Sequence, residues 1–296
     1  IQPCLTYKQL HDQLFLEHEA GKHKESDAFN ILIFNKIWVS SFLKREEAED
    51  IRGMLHDNAL PFTTGSQIVS ALMLGLQEAF DREKILLLFD AASHPNEEVK
   101  VRALISILIT LYTYRKRTQL YPQIADRLAA LAETPGFIKT IRTIILRFIL
   151  ARETEKITRK LQDEIIPEML KLSPKLSKKI NLNELTPEDL TGNEMNPEWE
   201  SFFSDSTLGK KMVEFGELQQ EGADVMHSTF VHLKNFPFFH ELSNWLLPFT
   251  IEHSYFDDQF TPDNEAEKQM LDSMTFAAFM CNSDKYSLYF SMMQLP

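Results

Sequence analysis

The sequence predicts an all-α protein built from stacked helical hairpins. Three observations predict it: composition, the period of the apolar residues, and a recurrence marked by proline. Only 9 Gly and 13 Pro occur in 296 residues, against abundant Leu, Ile, Glu and Lys, which favours helix over strand. No stretch alternates apolar and polar residues over strand length with a β-branched bias. The chain is long enough for one large or two ordinary domains.

The recurrence is seen by aligning three prolines. "MLHDNALPFTTGSQIVSALMLGL" contains Pro61, "LLFDAASHPNEEVKVRALISILITL" contains Pro95, and "LAALAETPGFIKTIRTIILRFIL" contains Pro135, at spacings of 34 and 40 residues. The sixth and seventh residues after Pro95 and Pro135 are Val101-Arg102 and Ile141-Arg142. Leu104, Ile105 and Leu108 then correspond to Ile144, Ile145 and Phe148. The first copy fits with a one-residue slip at Ile68, Val69, Leu72 and Met73, and it lacks the Arg. A two-helix unit of this length is the mark of a solenoid. Each second helix is apolar on parts of two faces, as Ile105, Ile107, Leu108, Ile109 and Leu111 show, so it needs cover on two sides. The first helices, "EEAEDIRGMLHD" and "REKILLLFDAAS", carry a narrower stripe and form the outer layer.

At these residues the chain resembles the HEAT/armadillo α-solenoids, over roughly positions 28–171. The resemblance implies a right-handed α-α superhelix of helical hairpins. It also implies a ladder between repeats, in which Arg102 and Arg142 take the Arg position and Asn96 stands where the family has Asp. Gly136 occupies that place in the next copy. Tetratricopeptide repeats are the rival architecture, but their Trp…Leu-Gly…Tyr pattern is absent.

Positions 172–197 hold three prolines, four asparagines and a change of charge sign, and read as a linker or long loop. Beyond it, 198–296 reads as a less regular, acidic, Phe-rich helical module or a continuation of the solenoid, with Pro237 starting "PFFHELSNWLL". "LGKKMVEFGELQQ" and "ADVMHSTFVHLK" read as an antiparallel helix pair, and Thr261 or Asp263 as the cap of "NEAEKQMLDSMTFAAFM". The formal charge of −12 is unevenly spread: −5 over 1–94, +8 over 95–181 and −15 over 182–296. Such a split favours mutual attraction of two parts or a basic surface for an anionic partner.

The motifs of catalysis are missing. There is no Gly-x-Ser-x-Gly, no Cys-x-x-Cys and no Gly-rich dinucleotide loop. "DSTLGKK" has Ser204 where a phosphate-binding loop needs Gly. "HELSN" has Asn244 where a zinc helix needs its second His. His11, His18 and His23 do not share one helical face, and His253 with Asp257 and Asp258 reads as an acidic loop. Neither a metal nor a cofactor is expected. The aromatic run "NFPFFHELSNWLLPFTIEHSYF" reads first as core, with Trp245, Phe249 and Tyr255 as candidate anchors for a peptide. Arg115, Lys116 and Arg117 read as helix-end cations or an anion-binding edge.

The functional expectation is a non-enzymatic scaffold for a protein or peptide partner. The alternatives are a nucleic-acid-binding helical-repeat protein using the basic middle, which a pI near 5.3 disfavours, and a tetratricopeptide-like peptide-binding module. An enzyme with a polar pocket between two modules is a third class. Cys4 and Cys281 lie too far apart in sequence for a disulfide framework, which points to a reducing, cytoplasmic setting. The opening Ile1 and abrupt end read as an excised or processed piece of a longer protein, which leaves room for a targeting segment or further domains outside it. No apolar run approaches the ~18 residues of a membrane span.

Overall fold

The computed structural model describes residues 5–151, 159, 163, 234–256, 271, 273–275, 277 and 280–293. Among these there is no β-strand, and no helix is long and apolar enough to cross a membrane. The expected linker 172–197 and the helix pair beyond it lie outside the described residues, as do Thr261 and Asp263. Packing groups residues 1–142 with 233–296 in one compact unit and 143–232 in another. Of the described residues, all but 143–151, 159 and 163 belong to the first unit.

Among the described residues, eight α-helices precede position 152: α1 (Tyr7–Glu19), α2 (His23–Val39), α3 (Arg45–His56), α4 (Phe62–Glu78), α5 (Arg82–Ala91), α6 (Glu97–Thr113), α7 (Pro122–Ala132) and α8 (Phe137–Ala151). Three of the starts match the proline-marked register. Pro61 stands at the N-cap position of α4 without a side-chain cap bond, while Asn96 caps α6 by accepting from the Glu98 and Val99 N–H groups at 3.0 and 3.4 Å. Gly136, at φ 83°, precedes α8. The helices pack in two sets: α2 on α4 and α4 on α6, and α1 on α3, α3 on α5, α5 on α7. Within hairpins, α1 meets α2, α3 meets α4, and α5 meets α6. Helix α1 lies ahead of the span that the resemblance covers, while most of α2 falls inside it. The α1–α2 hairpin closes through Gly21 (φ 67°), with the Gly21 and Lys22 N–H groups donating to the His18 and Glu17 carbonyls.

Helix α4 is the centre of this unit. Ile68, Val69, Ala71, Leu72 and Leu76 are fully buried, and so are Ser66 and Ser70. Cover on several sides is what its apolar breadth demands. At Gly75 a Cβ would meet Lys84 Nζ at 2.3 Å and the Trp38 carbonyl at 3.1 Å. The missing side chain lets Lys84, completely buried, donate to the Ser40 carbonyl just past the end of α2. A cation there meets the negative end of the helix dipole, although burial lowers the lysine pKa.

Polar ties do join consecutive odd-numbered helices, but through residues other than those expected. Asp90 on α5, 9% exposed, accepts from Arg52 on α3 at 2.7 Å and forms an ion pair with Arg127 on α7 at 3.1 Å. One buried carboxylate thus ties three consecutive outer helices. Asn96 is spent on its own helix start. Arg142 is exposed.

The C-terminal part adds a 3₁₀ turn at Pro237–His240, the short helix α9 (Leu242–Trp245) and α10 (Asn282–Met293). The helix expected from Pro237 is broken into two short pieces. In the first, the Phe239 N–H bonds the Phe236 carbonyl, and Asn244 Nδ2 and Trp245 Nε1 turn back to the Phe238 and Phe239 carbonyls at 2.9 and 2.8 Å. Phe238, Phe239, Phe249, Phe256, Tyr286, Tyr289 and Phe290 form a buried aromatic cluster. The Phe238 and Tyr286 rings lie 4.6 Å apart, those of Phe256 and Tyr289 4.7 Å, and each such ring contributes roughly 1.5–3 kcal/mol by burial.

Candidate functional site

A polar cleft of about 550 Å³ opens within this unit. Its size suits a small ligand or one to two side chains. Three parts of the chain build it. The end of α1 and α2 supply His18, His23, Ser26, Asp27 and Asn30; the α3–α4 loop and α4 supply Asn58 to Thr63 and Gln67. The C-terminal segment supplies Asn244, Leu247, Thr250, Glu252 and His253.

Each wall is held by hydrogen bonds. Thr64 on α4 donates to Asn30 Oδ1 on α2 at 2.8 Å, away from water. Asp57 accepts from the Ala59 N–H at 2.9 Å and pairs with His11 Nε2 at 2.9 Å. The Ala59 amide, with His11 after it, holds the Asp57 carboxyl below its ordinary pKa. The C-terminal wall is pinned to α2 by the Ser254 N–H, which donates to Asp27 Oδ2 at 2.9 Å. His253 Nδ1 lies 3.4 Å from the same carboxylate. From behind, the Tyr286 hydroxyl donates to the Pro248 carbonyl at 2.9 Å and accepts from the Thr250 N–H at 3.1 Å. Burial drives the pKa of that phenol far up, so it stays a donor.

Arg102 is the node behind this wall. Its Nη1 donates to Ser70 Oγ on α4 at 2.8 Å and to the Leu246 carbonyl, and Nη2 reaches Glu98 Oε1 at 2.7 Å. It therefore joins α6, α4 and the residue before Leu247. The expected bridge through Asn96 is replaced by one through Ser70 and a carbonyl of the C-terminal segment.

Two polar atoms of the lining are left over. Gln67 Oε1 and Asn244 Oδ1 are buried and accept no hydrogen bond from the described residues, in side chains only 4% and 2% exposed. An unpaired buried acceptor costs about 1–3 kcal/mol. For Asn244 the orientation is fixed, because only its N–H end can serve the Phe238 carbonyl. Among the described residues no lysine or arginine lines the cleft, whereas Asp27 and Glu252 do. Its fixed charge is negative.

The other sequence candidates fall elsewhere. Arg115, Lys116 and Arg117 are exposed just beyond α6, where Arg117 lies over the Phe80 ring at 4.3 Å and Arg115 bonds the Tyr112 carbonyl at 3.3 Å. They share no site with Trp245, Phe249 or Tyr255. Phe249 is core, while Trp245 and Tyr255 are 40% and 37% exposed. Among the described residues no three His, Cys, Asp or Glu side chains come together as a metal site would require. Asp257 and Asp258 lie outside the described residues, as does "DSTLGKK". Gln67, Asn30 and Asp27 carry no sequence signal: they are single polar residues on largely apolar helices, with no motif to mark them. Asn244 reads in the sequence only as a failed zinc ligand.

Compared with protein-family models, with curated proteins and with solved structures, the chain matches none.

Proposed function

We propose that this chain is a non-enzymatic helical-repeat scaffold that binds a polypeptide partner. The cleft is the recess that takes one of the partner's side chains. The observation that carries the proposal is the cleft of about 550 Å³, walled by three separate parts of the chain. The two sets of packed helices support a HEAT/armadillo-like superhelix, in which neighbouring hairpin turns line one edge and give a partner an extended track. Several of the basic groups in the middle of the chain are already engaged: Lys100 with Glu97, Arg102 with Glu98 and Arg127 with Asp90. That lowers the charge available to a nucleic acid.

The test is selection of peptides from a random displayed library on the immobilised chain, followed by rebinding to an Ala59→Trp variant. Ala59 is exposed on the cleft wall, so an indole there fills the recess without touching the core. Selected peptides should lose about tenfold or more in affinity, equivalent to ~1.4 kcal/mol. Peptides that bind both forms equally would place the partner elsewhere.

A further inference from the structure

We infer that α8 is a peripheral membrane-binding helix, lying in the interface of a bilayer that carries anionic headgroups. This surface is separate from the cleft and stands on its own observations. The first is a concentration of exposed apolar side chains. Ile138, Ile145, Leu146, Phe148 and Ile149, all on α8, are 62, 42, 56, 43 and 57% exposed. Among the described residues, none of α1 to α7 exposes more than two large hydrophobic side chains. Scattered apolar residues on a surface are ordinary, but five on one 15-residue helix form a patch that calls for cover.

Charge is the second observation. Of α1 to α8, only α8 holds no Asp or Glu, although the whole chain stands at −12. It carries Lys139, Arg142 and Arg147, all exposed, for a charge of +3. The sequence then continues "RETEKITRK", whose four bases and two acids add +2. Remote carboxylates are screened beyond a Debye length of about 8 Å, so the local sign governs approach to a charged surface. An amphipathic helix whose only charges are cations is suited to the headgroup region, with apolar side chains toward the acyl chains and bases toward the lipid anions.

The layout of the face selects among occupants. Positions 138, 142, 145 and 149 form one row along the helix. Arg142 therefore stands within an apolar row, from which its guanidinium can reach the headgroups on its methylene stem. At roughly 100° per residue, the exposed apolar arc from Phe148 through Ile145 to Leu146 covers about 160°. That is wider than the seam one partner helix covers. A second copy would set +3 against +3 with no carboxylate on either helix to offset it. A nucleic acid would meet the bases but leave the isoleucines and Leu146 in water. A planar lipid interface takes the whole arc. The helix lies along that interface, since no helix among the described residues is long and apolar enough to cross it.

The test is co-flotation of the full chain with vesicles of phosphatidylcholine, alone or with about one third phosphatidylserine. The chain should bind the anionic vesicles about tenfold or more tightly than the neutral ones, and the difference should fade as salt rises from about 0.05 to 0.5 M. Arg142→Gln should weaken binding to the anionic vesicles about fivefold, the effect of one basic group near the surface. Leu146→Gln with Ile149→Gln should weaken it about tenfold or more by removing groups that insert. All three positions are exposed, so the melting temperature should not change. If that pair of substitutions lowers it, Ile138→Gln, at the most exposed of the five apolar positions, takes its place.

Failure to float with the anionic vesicles at low salt overturns the inference. So does equal flotation of the apolar variants and the unchanged chain, which would place the lipid contact elsewhere. A duplex oligonucleotide is the last probe. If the chain binds it without floating, and Arg142→Gln weakens that binding while the apolar substitutions do not, the face is a nucleic-acid surface and the lipid reading is wrong.

Discussion

The stacked helices α1–α7 and the aromatic cluster around Tyr286 bury their cores in different ways. The stack uses aliphatic residues at helical spacing: Ile33, Ile51, Ile68, Leu72, Leu88 and Leu104 repeat the same solution from hairpin to hairpin. Its polar ties are few and local to neighbouring helices, as with Asp90 between Arg52 and Arg127. The cluster uses rings on short, irregular pieces of chain, and closes them by turning side-chain donors onto backbone carbonyls at Phe238, Phe239 and Pro248. Regular helices satisfy their own backbone, whereas a broken segment must borrow side chains to do so. The segment pressed against α2 therefore carries the polar groups that a plain helix would lack, and one of them, Asn244, keeps a buried acceptor without a partner among the described residues. The cleft lies where the two modes of packing meet.

The largest effect is expected at the centre of the cluster. Phe238→Ala removes a fully buried ring and should cost about 3–5 kcal/mol in denaturant unfolding. A cost below about 1 kcal/mol would mean that the cluster is peripheral and that the cleft has a loose wall. Next is Asp90→Ala, which leaves Arg52 and Arg127 without their shared carboxylate. It should cost about 2–3 kcal/mol, the range for bonds to charged groups. If it is neutral, the outer helices are held by apolar contact alone.

Arg102→Ala should cost about 1–2 kcal/mol, because Ser70 Oγ and the Leu246 carbonyl lose their donor. Arg142→Ala, in the same register one repeat later, should stay within about 0.5 kcal/mol, as exposed substitutions do. Equal costs at the two positions would erase the contrast between an engaged and an exposed copy of one sequence feature.

That contrast shows how far the sequence can be read. Helix starts near Pro61, Pro95 and Pro135 are legible because proline and a 3.6-residue apolar period are local signals. The ladder is not: Asn96 and Asp90 are both polar residues near α5 and α6, and only packing shows that the first caps a helix while the second faces two arginines. Arg102 is legible as a bridging residue, but its second partner, the Leu246 carbonyl, is 144 positions away, which no local pattern encodes. For the aromatic run, density points to core, and Phe238, Phe249 and Phe256 are buried. Its failure to form one helix from Pro237 is explained by the turn-backs at Asn244 and Trp245. The cleft itself is invisible in the sequence, since Gln67 and Asn244 matter for a bond they do not make.

That missing bond is the central claim, and ligand-free Gln67→Met tests it most directly. Methionine has nearly the volume of glutamine and brings no buried acceptor, so the change removes an unpaired polar atom. The expected melting temperature is unchanged or raised by up to about 2–4 °C, equivalent to ~1 kcal/mol in a domain of this size. A fall of several degrees would contradict the claim, because Gln67 would then be holding the helices together through a bond of its own.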